Sequence, residues 1–411
     1  MLILYRLSVI FYLAALNIAS PFIVKARLMV HGRRNWKQTL REKCGNAGGY
    51  IWFHCASVGE FEQGRPLLEK IKNENPGQKI LLSFFSSSGY EMRKNYALAD
   101  AVVYLPWDSP KNAKAFCRIV KPGMLILIKY DLWYYHIREA RRAGAEVYLV
   151  SGIFRNNHWL FRFRSSFAER LFGYFRWLFV QDENSMHLLQ QHRVENCSVA
   201  GDTRYDRVIE IASQPFDDAI IRQFAEGSSV LIAGSTWPED EKMLHAVYRS
   251  CGDTYKYIIV PHEIHPQHIR QLCSLFGDAL LYSEARSGEA ENARVLIVDT
   301  MGMLSKIYRY GSLAYIGGGF GNGIHNTIEA AVYGIPVLFG PKYQKFREAE
   351  ALIQCGAAFS INSSEELTET VKRFGHSQND AAQSGDAARR HVYSQEGSVS
   401  KIYDKIIGSL R

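Results

Sequence analysis

From Tyr50 onward the chain repeats one pattern, a short apolar run followed by a longer stretch with helical spacing. Tyr50 to Cys55, Ile80 to Phe85, Ala101 to Tyr104, Met124 to Ile128, Glu146 to Val150 and Trp177 to Gln181 read as strands. Helix candidates such as Phe61 to Asn73 and Ile137 to Ala143 lie between them. Uniformly apolar strands separated by helices predict a parallel, doubly wound sheet. The pattern restarts with Val230 to Ala233, Tyr257 to Val260, Ala279 to Tyr282, Val295 to Val298, Leu313 to Ile316, Val337 to Phe339 and Ala358 to Ser360. The fold class expected is therefore α/β, with two doubly wound, Rossmann-like domains whose strand ends face a common ligand cleft. The join falls between Gly201 and Phe216, where Pro215, Asp217 and Asp218 interrupt the apolar pattern. Gly375 to Asp386 reads as the most polar loop, and His391 to Leu410 as a terminal helix able to cross back to the first domain. This organisation divides the chain into residues 1–36, 37–212, 213–390 and 391–411.

The stretch from Leu313 to Pro341 carries most of the chemical information. A strand leads into glycines 317, 318, 319, 321 and 323, then a helix from about Asn326, then a second strand. Glycines let a backbone approach a ligand closely, and a helix N-terminus offers N–H groups to an anion, so a phosphate fits this unit. The spacing matches neither GxGxxG with a distal acidic residue nor GK[ST]. Glu329 falls three residues after Asn326 on the same helix face, where it could grip a ribose diol. A tight turn with a solvated glutamate explains the same residues.

Three further strings sit at strand ends. In HCASVGEFEQGRP, residues 54–66, Ser57, Val58 and Gly59 turn so that Glu60 opens a helix at the sheet's carboxyl edge, placed to take a proton from a hydroxyl. A helix-terminal glutamate stabilised by the dipole is the plain alternative. AGSTWPEDE, residues 233–241, offers Ser235 and Thr236 before a helix starting near Pro238, as anion ligands or as ordinary N-caps. Asp299-Thr-Met-Gly302 precedes the helix Leu304 to Tyr310, so its backbone faces the same edge. His262 and His265 in VPHEIHP suit a metal poorly, because a third ligand is missing.

Length and charge narrow the partners. At 411 residues the chain holds about two to three domains. Residues 1–210 carry 30 Lys and Arg against 18 Asp and Glu, and residues 211–411 carry 19 against 23, so a first half of +12 is followed by a second of −4. An acidic partner belongs with the first half. Seven scattered cysteines without a CxxC pair indicate no disulfide framework or zinc site. Leu7 to Val24 is uncharged and is followed by Lys25, Arg27, Arg33, Arg34 and Lys37. Eighteen helical residues span roughly 27 Å, enough to cross a bilayer or lie on it, with the cationic flank held cytoplasmic. A buried core helix or a signal peptide is the competing reading. Residues 154–177 interleave arginines 155, 162, 164, 170 and 176 with nine aromatics, which suits an anionic membrane surface. A helix with solvated arginines is equally simple, and no nucleic-acid module surrounds the run.

Taken together, the strings resemble the 3-deoxy-D-manno-octulosonic acid (Kdo) transferases of Gram-negative lipopolysaccharide synthesis. The carriers, in the family's order, are the apolar N-terminus, FHCASVGE (53–60), DLW (131–133), VQDENS (180–185), GDTRYD (201–206), AGSTWPEDE (233–241), VDTMGML (298–304) and IGGGFGNGIHNTIEAAVYGIPVLFGP (316–341). The resemblance implies a GT-B type inverting glycosyltransferase, anchored at the cytoplasmic face of the inner membrane. Its donor would be CMP-Kdo and its acceptor a primary hydroxyl of a phosphorylated lipid A precursor of the lipid IVA type. Glu60 matches the family's catalytic base; Ser235, Thr236, Met301, Gly302, Asn326 and Glu329 match donor positions, beside Gly318 and Gly319 of the loop. No metal or other cofactor is implied, and no nucleic acid.

Two positions depart from the family. PHEIHP replaces a PRHP-like string, leaving His262 or His265 where an arginine contacts the donor phosphate. KYDLW replaces ETELW, so Lys129 and Asp131 stand where carboxylates are common and Asp131 becomes an acceptor candidate. The +12 half assigns Arg155, Arg162 and Arg164 to the lipid phosphates. The rival readings are a membrane-associated enzyme of the same architecture that uses a UDP-sugar, a nucleotide-sugar epimerase, and a catalytically silent nucleotide-sugar binding protein.

Overall fold

The structure is a computed structural model that describes residues 2–45, 47–156, 158, 160–161, 166–251, 254–286 and 288–408. The chain forms two compact units, one of residues up to Asp206 together with those from Gly397 onward, the other Arg207–Glu396. In the first unit, β1 (Tyr50–Cys55), β2 (Ile80–Phe84), β3 (Ala101–Tyr104), β4 (Pro122–Ile128), β5 (Glu146–Gly152), β6 (Trp177–Val180) and β7 (Cys197–Val199) pair in the order β3-β2-β1-β4-β5-β6-β7, all parallel. In the second, β8 (Val230–Thr236), β9 (Lys256–Pro261), β10 (Leu280–Leu281), β11 (Val295–Ile297), β12 (Leu313–Ile316), β13 (Val337–Phe339) and β14 (Ala358–Ser360) pair as β10-β11-β9-β8-β12-β13-β14, again parallel. The doubly wound α/β class is as expected. Every residue of β1, β2, β3, β12 and β13 is buried, because helices cover both faces of each sheet.

Several local expectations need correction. The strand β7 is too short and too polar to stand out by pattern. Gly375 to Asp386 is not a loop: residues up to His376 end one helix, and Ser377 caps the next, Gln378–Ser394, by accepting from the Asp380 amide at 3.2 Å. A second helix, Ser398–Ile407, follows and packs Val399, Ile402 and Ile406 into the first unit's core. Its N-cap is Gly397, which has no side chain to offer; Asp206 instead accepts from the amides of Gly397 at 2.8 Å and Val399 at 3.3 Å.

The N-terminal helix Leu2–Ala19 is long and apolar enough to cross a membrane, and Ile3, Leu7, Ile10, Phe11 and Ile18 on it are exposed. One side is nevertheless tied to the first unit. Tyr5 donates its hydroxyl to Asp108 Oδ2 at 2.5 Å, and its ring contacts Tyr134, Tyr135 and Phe167. Asp108 is buried, and it also accepts from the Tyr135 and His136 amides at 3.0 Å and from His136 Nδ1 at 2.6 Å. These amides open the helix Tyr134–Arg142, so one carboxylate caps that helix and pins the N-terminal one to it. Burial alone would raise the Asp108 carboxyl, but the donors from His136, Tyr5 and Tyr135 more than offset it and hold the group below its ordinary range.

Arg33, one of the cations that flank the apolar N-terminus, is buried. Its guanidinium donates to the carbonyls of Leu105, Met29 and Phe85 and lies 4.1 Å from the Trp107 ring centroid. It closes strand ends instead of meeting solvent.

Both oxygens of Asp108 face donors, so an amide in either orientation would bring a donor against a donor. Asp108→Asn should lower stability by about 2–4 kcal/mol, measured by urea unfolding. A loss below about 1 kcal/mol would refute the tie's structural weight.

Candidate active site

In the first sheet the strand order reverses between β1 and β4; in the second it reverses between β8 and β12, and β10 and β11 are transposed at one edge. Loops leaving such neighbouring strands run to opposite faces and open a crevice at the carboxyl edge. Glu60, Lys129 and Asp131 follow the first pair of strands, and Ser235 and the glycine loop the second; His262, His265, Met301, Gly302 and Arg155 follow strands further along the same edges.

In the first unit, β1 runs into Ala56 and Ser57, and then the helix Val58–Glu74 places Glu60 in its first turn. Ser57 and Glu60 have the spacing of a capping box, yet Ser57 makes no capping bond to the backbone. Its hydroxyl donates to Glu60 Oε2 instead, orienting the carboxylate. Glu60 Oε1 lies 3.9 Å from Lys129 Nζ, and the side chain is 16% exposed, open enough for proton exchange with a ligand. Lys129 leaves β4 with a φ of 69°, held there by its amide bond to the Val150 carbonyl at 2.8 Å. Such a backbone is uncommon for a non-glycine residue and marks a place where packing overrides local preference.

Asp131, two residues on, is fixed by His54 Nε2 at 2.8 Å and Trp133 Nε1 at 2.9 Å. A carboxylate only accepts, so His54 Nε2 carries a proton, and Nδ1 meets Ser83 Oγ at 2.9 Å. Ser83 in turn accepts from Trp52 Nε1 at 2.7 Å. Glu60, Lys129 and Asp131 thus share one edge of the first unit. Arg155 is exposed just beyond β5, and Arg162 and Arg164 lie outside the described residues.

In the second unit the glycine loop differs from the anion cradle expected. A Cβ on Gly317 would lie 2.3 Å from the Ser235 carbonyl, and one on Gly319 would lie 2.5 Å from the Gly340 backbone. At these two positions neighbouring protein backbone alone requires glycine, whereas a Cβ on Gly321 would meet nothing closer than the Gly318 carbonyl at 3.6 Å. The Gly318 amide donates to the buried carboxylate of Asp240 at 2.9 Å, and those of Gly321 and Gly323 return to the Gly318 carbonyl. Gly318 therefore cannot offer its N–H to a phosphate. The helix after the loop is Ile328–Ala331, a single turn beginning after Asn326, with no appreciable dipole. Asn326 does meet Glu329, donating Nδ2 to Oε1 at 2.9 Å.

Thr236 also departs from its expected role. It is fully buried and donates to Glu241 Oε1 at 3.0 Å, while Asp240 reaches back to the Trp237 amide at 3.0 Å to start the helix Pro238–Cys251. Glu241 Oε2 meets His268 Nε2 at 2.9 Å. His268 Nδ1 meets the Glu263 carbonyl at 2.8 Å. Both partners only accept, so His268 carries two protons; burial opposes this charge, but the contacts with Glu241 and Glu263 outweigh it and raise the group. Ser235 next to it is partly exposed, with a φ of 54° at a register shift between β8 and β9. Met301 and Gly302 are exposed beyond β11.

Trp237, His325 and Lys342, at this edge, carried no sequence signal of their own. The His262 ring stacks on Trp237 at 4.7 Å and on His325 at 4.3 Å. Trp237 Nε1 donates to His325 Nε2 at 3.1 Å, so that nitrogen holds a lone pair. Burial, reinforced by His262, pushes the His325 imidazole down to about 4. His265 is exposed and pairs loosely with Glu263 at 3.7 Å. Lys342 donates to the carbonyls of Phe320 at 3.0 Å and Gly321 at 2.8 Å, placing a cation on the outer side of the glycine loop.

Two parallel doubly wound units with polar groups at their switch points define the GT-B type of α/β fold. UDP-GlcNAc 2-epimerase from Neisseria meningitidis, bound to UDP-GlcNAc, shares this fold with a TM-score of 0.62 at 14% identity, covering 88% of this chain and 100% of its own. Residues 27–207 match the family model described as 3-deoxy-D-manno-octulosonic-acid transferase (kdotransferase). A 3-deoxy-D-manno-octulosonic acid transferase of Chlamydophila psittaci is 27% identical over 96% of this chain and 92% of its own length. One of Aquifex aeolicus is 27% identical over 80% of this chain and 86% of its own. The likeness to the Kdo transferases seen in the motifs thus holds along nearly the whole chain.

The folded His325 stays neutral down to about 4, whereas the unperturbed group titrates near 6.5. As pH falls through that window the unfolded chain takes the proton and the folded chain does not, so stability declines below about pH 6.5. With the ring partly exposed, the loss should be about 1–2 kcal/mol. Urea unfolding at about pH 7 and about pH 5 should show a smaller loss for His325→Gln than for the wild type; equal losses would exclude His325 as the source.

Proposed function

We propose that the chain is an inverting glycosyltransferase that moves Kdo from CMP-Kdo to a primary hydroxyl of a phosphorylated lipid A precursor of the lipid IVA type. It would work at the cytoplasmic face of the inner membrane, held there by its single N-terminal helix, with no metal or other cofactor and no nucleic-acid partner. The family likeness supports Kdo transfer. The observation that carries the mechanism is Glu60, oriented by Ser57 at the switch point of the basic unit, with Lys129 balancing its charge.

The hydroxyl oxygen of the acceptor forms a bond to the anomeric carbon of Kdo while that carbon's bond to the phosphate oxygen breaks. The hydroxyl proton passes to Glu60, and the electron pair of the broken bond leaves with CMP. A single displacement from the opposite face inverts the anomeric centre. Negative charge grows on the departing phosphate, where Lys342 and the Ser235 hydroxyl offset it; Asn326 and Glu329 hold the ribose, and His262 lies beside the base or sugar. Removing such charge by preset protein groups accelerates the step without solvent rearrangement. Asp131 and Arg155 serve the acceptor, with Arg162 and Arg164 as further phosphate ligands.

Glu60→Gln should lower transfer by about 10² to 10⁴ while CMP-Kdo affinity survives. Mass spectrometry of the lipid product and calorimetry with CMP-Kdo check the two halves; near-normal turnover removes Glu60 as the base. Calorimetry with UDP-sugars in parallel separates this reading from the UDP-sugar enzymes of the same fold. Lys342→Met should raise the donor KM about tenfold, the worth of one charge-assisted hydrogen bond, and leave the acceptor KM unchanged. A rise in the acceptor KM alone would assign Lys342 elsewhere.

A further inference from the structure

The first unit holds a groove of about 730 Å³ between the N-terminal helix and the sheet's carboxyl edge. Tyr5, Val9 and Tyr12 form its helical wall, Phe85 and Trp133 the opposite wall, and Asp131 its polar end. This size is typical of a small-molecule site. The walls are held in place: Tyr5 is tied to Asp108, Tyr12 meets Phe85 at 5.9 Å, and Phe85 stacks on Trp133 at 4.5 Å. Tyr5 and Tyr12 lie two turns apart and both touch the unit, so this length of helix runs along the protein instead of leaving it.

The groove has a direction. At one end Asp131 is bonded to His54 and Trp133, and Lys129 and Glu60 stand two residues away and one ion pair further. Along the rest of the groove the walls are mainly apolar, with Ser8 and the two tyrosines as the hydroxyl-bearing side chains, and the helix that forms one of them carries the exposed side chains Ile3, Leu7, Ile10 and Phe11 on its other sides. A ligand that fits must be polar where the chemistry occurs and apolar behind it. We propose that this groove takes one acyl chain of the lipid acceptor and so delivers the acceptor's head to Glu60; the assignment rests on the transferase reading above. The N-terminal helix is then part of the acceptor site as well as an attachment to the membrane. An acyl chain gains about 0.8 kcal/mol for each methylene it buries, so a few methylenes decide the affinity.

The test compares two acceptors with the full-length protein in lipid nanodiscs: the acylated precursor and its deacylated disaccharide bisphosphate. Val9→Trp fills the groove. It should lower kcat/KM for the acylated acceptor about tenfold, equivalent to roughly two methylenes left in water, and leave the deacylated acceptor unchanged. An unchanged ratio between the two acceptors would overturn the proposal. A second measurement needs no turnover: vesicles of phosphatidylethanolamine brominated in the acyl chains should quench the Trp133 fluorescence, taken as the difference between wild type and Trp133→Phe. Absence of that quenching also overturns it. If the wild type converts neither acceptor but Trp133 is quenched, the transferase reading fails and the acyl groove stands.

Discussion

The carboxyl edge of a parallel sheet governs this molecule. Backbone groups within the strands are used up by neighbours, and both faces are covered by helices, so chemistry is confined to the few residues that follow each strand. Glu60 follows β1, Lys129 and Asp131 follow β4, Ser235 ends β8, and the glycine loop follows β12. Lys129, Ser151 and Ser235 all have positive φ, at 69°, 54° and 54°, and the latter two coincide with register shifts in β5 and β8. Such conformations cost on the order of 1–3 kcal/mol each and persist because the surrounding packing imposes them. At Ser151 the constraint is visible: its hydroxyl meets Thr203 at 3.0 Å, and Thr203 donates to the Gln63 carbonyl at 2.5 Å. That chain joins the 201–206 segment to the helix that carries Glu60.

The alternation of apolar runs and helices made the two sheets readable, because a strand buried on both faces leaves an unmistakable apolar run. Boundaries and short elements were less readable. Cys197–Val199 is a strand by virtue of its neighbour β6, and no pattern of its own announces it. Gly375 to Asp386 is polar and contains two glycines, yet tertiary packing keeps it helical: Gly375 lies against Thr254, and a Cβ on Gly385 would meet the Gly334 carbonyl at 2.1 Å. Composition there reflects close approach, which a propensity argument reads as a loop.

The same confusion affected the site. Glycines signal that something comes close to the backbone; they do not say whether that something is ligand or protein. Here it is Ser235, Gly323 and Gly340. The place of Glu60 in the first turn after β1 was legible from its string, although an ordinary helix-terminal glutamate reads the same way, whereas Trp237 and His325 are 88 residues apart in sequence and meet only in the fold. Arg33 shows the converse, a flanking cation that serves three backbone carbonyls.

The orientation of the glycine loop decides which of its groups an approaching anion would meet. Its Gly318 amide turns inward to Asp240, a carboxyl that burial raises even though bonds from Gly318, Tyr315 and Trp237 oppose the rise. Its Phe320 and Gly321 carbonyls turn toward Lys342. Without that lysine the loop would present oxygen atoms and a buried carboxyl to an approaching phosphate, and the sign of the interaction would be repulsive. The stacked imidazoles cannot reverse it, because Trp237 donates into His325 and burial keeps both His325 and His262 on the neutral side. A single ammonium, held by two carbonyls with its third proton left to donate, therefore converts this edge from anion-repelling to anion-attracting.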